Sequence, residues 1–180
     1  MSRGINKMGL GEDAGTTPWG RVVALSHRLA LGKPSHLVAA ALLAIAGVAL
    51  VLRLASLTNV PTNVTADEAD NLQVVYHILE GHGPSFFGLD WKPAPAFSTY
   101  LIAGFMRLFG MDIAGMRMSS VLLGSLTTVA LYFLARQHIS RLASLASAFL
   151  LATALWHLHF SRSGWENVHI GLFAVLEGVL

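Results

Sequence analysis

Apolar and polar positions fall in long blocks along this chain, without the two-residue alternation of a half-buried strand, so helices are predicted throughout. After a polar, Gly-containing start, His36 to Leu57 forms an apolar run of about 20 residues, enough to cross a hydrocarbon core as a helix. Arg53 sits near its far end, where a long side chain can snorkel to the interface. Thr65 with Glu68 three positions later fits a capping box, which predicts a helix from Ala66. Leu72, Val75, Tyr76 and Leu79 then recur at helical spacing, and Gly81 supplies the stop. This amphipathic helix is expected to lie along a membrane surface, with Leu72 and Val75 turned towards lipid and Asp67, Asp70 and Asn71 sharing another face. Gly83-Pro84 and Pro93-Ala94-Pro95 punctuate the stretch beyond it. Phe97 to Phe109 is apolar but short, and Arg107 interrupts it. Further spans are predicted at Met118–Ala135, at Leu142–Phe160, which ends in the interfacial residue types Trp156, His157 and His159, and from Val168 to the end.

Charge orients these spans. Arg3, Lys7, Arg21, Arg28 and Lys33 precede the first run and place the N-terminus inside, with residues 1–35 as a flexible cytoplasmic tail that lacks a signal-peptide cleavage pattern. The loop from about 58 to 115 then lies outside. If Phe97–Phe109 stays at the interface, Arg136 and Arg141 fall on the cytoplasmic side; if it spans, they fall outside, against the positive-inside tendency. The interfacial reading is therefore preferred. The expected fold is all-α, a multi-pass transmembrane helical bundle with juxtamembrane helices in the first exterior loop. An integral protein of a bacterial or archaeal plasma membrane is the expected setting. The apolar ending, Ile170 to Leu180, suggests the first part of a longer protein.

Composition agrees. The chain is 54% apolar and 12% charged with a mean hydropathy of +0.59, too apolar for a soluble domain of 180 residues. The net charge of +2 comes from scattered basic residues, which argues against a nucleic-acid partner, and with no cysteine neither disulfides nor thiolate metal sites are available.

In so uncharged a chain, Asp67, Glu68 and Asp70 stand out immediately beyond the first span. Acids in a first helical turn complement the helix dipole, and Glu68 can simply close the capping box. The other reading is a general base or a metal-binding carboxylate acting on an acceptor hydroxyl. Lys92, beside Trp91 and Pro93, is either an interfacial lysine or a phosphate contact, and Arg162 carries the same two readings. Asp90, Arg117, Glu166 and Asn167 are accessory candidates, because the topology places all these groups on one side of the membrane. Asp67, Glu68, Asp90 and Glu166 are hard oxygen donors that a divalent metal would accept. His77, His82, His157, His159 and His169 form no metal-binding pattern, and Asn63-Val64-Thr65 is a sequon only in a glycosylating lumen.

The order of short motifs resembles one family. Asp67-Glu68 follows the first span, then come Lys92-Pro93 with Pro95, Leu108-Phe109-Gly110, and Arg117 before Ser119-Ser120-Val121-Leu122-Leu123-Gly124. Arg136 closes that span and Ser161-Arg162 opens the later exterior loop. From about residue 36 onward this is similar to the multi-pass GT-C glycosyltransferases that use polyprenyl-phosphate sugars, the group with the protein O-mannosyltransferases and the lipid A aminoarabinose transferases. The resemblance implies a catalytic role for Asp67 with Glu68 beside it, a lipid-phosphate contact for Lys92, and a place near the donor phosphate for Arg162. The aminoarabinose enzymes carry Arg and Tyr where this chain has Asp70 and Asn71. The mannosyltransferases place an Asp after the Ser-Arg, near Glu166 and Asn167 here.

The expected function is transfer of a sugar from a polyprenyl-phosphate donor to a protein, lipid or glycan acceptor on the exterior face, among membrane lipids. The rival is a transporter or flippase for a lipid-linked substrate, which would carry ionisable residues within its spans; a structural subunit is a third class and would tolerate loss of Asp67 or Lys92.

Overall fold

The computed structural model describes residues 35–86 and 96–180. The basic tail, Asp90 and Lys92 lie outside the described residues. Every regular element among those described is a helix: α1 His36–Leu54, α2 Ala66–Leu79, α3 Phe97–Phe109, α4 Ile113–Arg136, α5 Arg141–Thr153, α6 Leu155–Phe160 and α7 Asn167–Val179. The fold is the all-α bundle that the apolar blocks predict.

Local chemistry sets the helix ends. In α2, Thr65 Oγ1 accepts from Glu68 N while the Glu68 carboxylate accepts from Thr65 N, so both halves of the expected capping box are present. Gly81, at φ +86°, closes the same helix in a left-handed turn that a side chain would resist. α4 begins five residues earlier than the expected 118, because Asp112 caps it by accepting from Gly115 N at 2.8 Å. Arg117 therefore stands inside a helix rather than on a loop. The predicted span 142–160 is two helices, broken at Ala154, whose ψ of 122° is not helical. At the break the Ala152 carbonyl is taken by Arg53.

α4 is the element on which the others assemble; α1, α3, α5 and α7 all pack against it, and α2 packs on α3. Two apolar clusters result. Val75, Ile102, Ala103, Met106 and Met116 join α2, α3 and α4, while Leu42, Tyr132 and Ala148 join α1, α4 and α5. Leu72 and Val75 thus turn into the protein, contrary to the expectation that they face lipid. The reason is that α3 offers its own apolar face, so α2 buries its stripe against protein. Gly124 permits the close crossing near α7, since a Cβ there would collide with Ser161 and touch Val168.

α1 (19 residues) and α4 (24 residues) are long and apolar enough to cross a membrane. α3, at 13 residues, is about 20 Å long and falls short of that thickness. Large apolar side chains remain outward on α1, α4 and α5, among them Leu43, Val51, Leu126, Phe133, Leu142 and Leu150. The two ends of the bundle are distinct. The C-terminal end of α1 and the N-terminal ends of α2, α4 and α7 meet at one pole, where side chains of Glu68, Asn71, Arg117 and Arg162 join them. At the other pole Gln137 Nε2, just past α4, donates to Val179 O at the end of α7 (3.0 Å).

Candidate functional site

Glu68 and Arg117 organise the first pole. Arg117 Nε donates to Glu68 Oε1 at 2.9 Å and Nη2 to Oε2 at 3.2 Å, a two-pronged ion pair with 1% and 0% of the side chains exposed. Arg117 spends its other donors on the carbonyls of Leu57 (2.9 Å), Pro61 (3.1 Å) and Asn63 (3.2 Å), and so holds the 57–63 connection against α4. Glu68 is equally engaged, as Oε1 also accepts from Gly164 N (2.8 Å) and Oε2 from Thr65 N (3.0 Å) and Thr65 Oγ1 (3.3 Å). Burial raises the Glu68 pKa, but the bonds from Arg117, Thr65 and Gly164, with the Arg117 charge, outweigh it and hold the carboxyl below its ordinary value. This residue is ionised and saturated.

Around this pair the other candidates take their places. Asn71, one turn along α2, donates through Nδ2 to Gly164 O and to Glu166 Oε2, both at 2.9 Å. Trp165 Nε1 donates to Thr65 Oγ1 at 3.2 Å. The 161–166 turn is therefore fastened to the start of α2 at Thr65, Glu68 and Asn71. Arg162 lies across the C-terminal end of α1, donating from Nη1 to Leu52 O (3.0 Å) and from Nη2 to Ala55 O. It satisfies orphan carbonyls of that helix and sits at the negative end of its dipole. Burial, with the nearby Arg117 charge, lowers the Arg162 pKa from its ordinary value.

The sequence-predicted residues sort themselves accordingly. Asp67, Glu68, Arg117, Arg162 and Glu166 do gather at one pole. The shared face expected of Asp67, Asp70 and Asn71 is divided, since Asn71 is buried and bonded while Asp67 is exposed. No hydrogen bond engages the Asp67 carboxylate among the described residues. Asn167 is exposed at the first turn of α7. Arg53 was expected at the interface; it is instead fully buried. It turns inward to the carbonyls of Ala49 (2.8 Å) and Ala152 (3.3 Å) and to His157 Nδ1 (2.6 Å), because the break after Thr153 presents acceptors there. An arginine can only donate, so His157 Nδ1 accepts and the imidazole is neutral.

Trp165 was missed by reading the sequence. It ties the far loop to the cap of α2; its signal was an indole next to Ser-Arg-Ser-Gly. His169 is fully buried in α7 with neither ring nitrogen bonded among the described residues, and nothing in the local sequence marks it. As for a divalent metal, no three His, Asp or Glu side chains among the described residues come together as a ligand set, and both Glu68 oxygens are already occupied. The described residues do not fit such an ion.

Residues 93–177 match the model of a family described as dolichyl-phosphate-mannose-protein mannosyltransferase. No curated protein and no solved structure matches the chain. The match takes in Arg117, Arg162 and Glu166 and starts beyond Asp67 and Glu68, which the Glu68–Arg117 ion pair and the Asn71–Glu166 bond nonetheless join to it. Over residues 93–177 the chain is thus similar to mannosyltransferases of the GT-C kind, and the match supports a glycosyltransferase-like membrane segment there.

Proposed function

We propose that the first pole is the donor-side site of a glycosyltransferase that moves a sugar from a polyprenyl phosphate to an acceptor hydroxyl on the exterior face. The observation that carries this is the contrast between neighbouring carboxylates. Glu68 is saturated by Arg117, Thr65 and Gly164, whereas Asp67 stands exposed and unbonded among the described residues, one position away. Asp67 is then the base. It takes the proton of the acceptor hydroxyl as that oxygen attacks the anomeric carbon, the bond from this carbon to the phosphate oxygen breaks, and the lipid phosphate departs with the electron pair. Glu68 is a positioning residue, holding the helix start and the 161–166 turn in register. The leaving phosphate gains charge. Arg162 supplies a nearby cation for it, with Lys92 proposed from the resemblance.

In this reading α1 and α4 span the bilayer, 141–160 crosses as a bent pair, α3 lies at the interface and the N-terminus is cytoplasmic. A cysteine-free chain makes that directly testable. Single cysteines at Ala66, Asn167 and His138, all exposed positions, are probed in intact cells with a membrane-impermeant thiol reagent. Labelling of the first two and protection of the third is expected; labelling of His138→Cys would overturn the topology. Asp67→Asn is expected to lower sugar transfer by about 10²- to 10⁴-fold without altering thermal stability, and unchanged transfer would remove Asp67 from the chemistry. The rival, a transporter or flippase, draws on Arg53 and His169, ionisable groups buried in apolar helices. It predicts substrate movement that survives Asp67→Asn.

A further inference from the structure

The break at Ala154 re-aims the chain so that α6 carries Trp156 and Phe160 one turn apart on one face. Their rings stack at 6.0 Å with 22° between planes, and Phe160 in turn meets Trp165 at 5.2 Å and 31°. Three aromatic rings thus form a continuous row. Its two ends differ. The inner end, Trp165, is fixed by its indole N–H to Thr65, the residue that caps the helix bearing Asp67 two positions on. The outer end is open, with Trp156 77% exposed and the adjoining Leu155 83% exposed. Arg162, whose guanidinium donates to Leu52 O and Ala55 O at the end of α1, puts a cation at the same pole.

A row that meets this polar, cation-bearing pole at one end and is open and apolar at the other matches an amphiphile with an anionic head and a linear apolar tail. Ring-to-ring spacings of 5.2 and 6.0 Å are comparable with the length of one isoprene unit. We propose that Trp165, Phe160 and Trp156 are the track for the first three isoprene units of the donor's tail, counted outward from the phosphate. This inference rests on the donor reading of the pole and adds the residues that recognise the lipid. Aromatic surface suits the role, since flat rings bury large apolar area at small entropic cost and unsaturated methyl-branched chains pack well on them. Interfacial Trp and Phe residues in general only anchor a protein in a bilayer. Anchoring does not need Trp165 tied to a helix cap, nor a row that runs to the pole bearing Asp67.

The test is equilibrium binding of dimethylallyl, geranyl, farnesyl and undecaprenyl phosphates to the full-length protein in nanodiscs. Each ligand is compared as the ratio of variant to unsubstituted affinity, so that partitioning into lipid cancels. Trp156→Ala is expected to weaken farnesyl and undecaprenyl phosphate by about tenfold while leaving dimethylallyl phosphate unchanged. Phe160→Ala extends the loss to geranyl phosphate, and Trp156→Phe restores most of the affinity. Both side chains are at least partly exposed, so folding should survive, and unchanged thermal unfolding verifies it. Ratios that are the same for every chain length, or weaker membrane retention with unaltered ligand ratios, would overturn the track and leave the donor reading standing. Absence of binding by the unsubstituted protein at every chain length would overturn both.

Discussion

Arg117 and Arg53 are both buried, and the molecule accommodates the two cations in opposite ways. Arg117 meets a carboxylate in two-pronged geometry and gives its remaining donors to three carbonyls of the 57–63 connection. Arg53 meets no acid among the described residues; it has two carbonyls and a neutral histidine, and its Nε is left unbonded among them. The first arrangement ties α2, α4 and two connecting segments into one frame beside Asp67. The second only bridges the end of α1 to the bend between α5 and α6. A buried ion pair is a poor source of net stability, yet it is costly to break and it enforces one geometry. That is what a site requires if an exposed carboxylate is to be held still next to a substrate. Arg53 shows the alternative, a buried cation held by backbone carbonyls and an imidazole without a counter-charge among the described residues.

The contrast can be broken at its strongest point first. Arg117→Met strands a buried Glu68 charge and should cost about 3–5 kcal/mol of stability, read from thermal or denaturant unfolding in detergent. It should also abolish transfer, since the frame around Asp67 loosens. Adding Glu68→Leu should restore much of the stability without restoring activity; full recovery of both would show the pair to be inert packing. Arg53→Met should cost less, about 1–2 kcal/mol, because hydrogen bonds to carbonyls and an imidazole are lost but no counter-charge is stranded. A penalty as large as that of Arg117→Met would erase the distinction.

pH sharpens the same comparison. The Glu68 pKa lies lower in the folded protein than in the unfolded chain, so its contribution to stability is complete above the unfolded value, about 4.3, and is lost as pH falls through the folded value. Glu68→Gln should flatten that acid-side loss in unfolding curves, whereas Arg53→Met should leave its slope unaltered. The smallest effect is expected at His169. Replacing a buried, unbonded imidazole by leucine removes two unsatisfied polar atoms, so His169→Leu should be neutral or stabilising by about 1 kcal/mol. A clear destabilisation would mean that the imidazole has a partner.

Asp67→Asn and Glu68→Gln, adjacent and chemically alike, should part company: the first silences transfer in a stable protein, the second weakens the fold. The sequence shows both as acids in one helical turn, and their division of labour is invisible there. Arg53 is an equally clear case. Its position near the end of an apolar run suggests snorkelling, and only the acceptors exposed by the bend at Ala154 turn it inward.

What the sequence determined by itself is whatever depends on neighbours a few residues away: the apolar runs of α1 and α4, the Thr65–Glu68 box and the stop at Gly81. Helix hydrogen bonds and capping are local, so local pattern suffices to read them. The tertiary structure decided the rest. Glu68 finds Arg117 across 49 positions and Trp165 finds Thr65 across 100. Leu72 and Val75 face α3 instead of lipid because α3 happens to present an apolar surface. Which carboxylate is saturated and which is left exposed is set by these long-range partners, and a partner's distance in space is not encoded by any spacing along the chain.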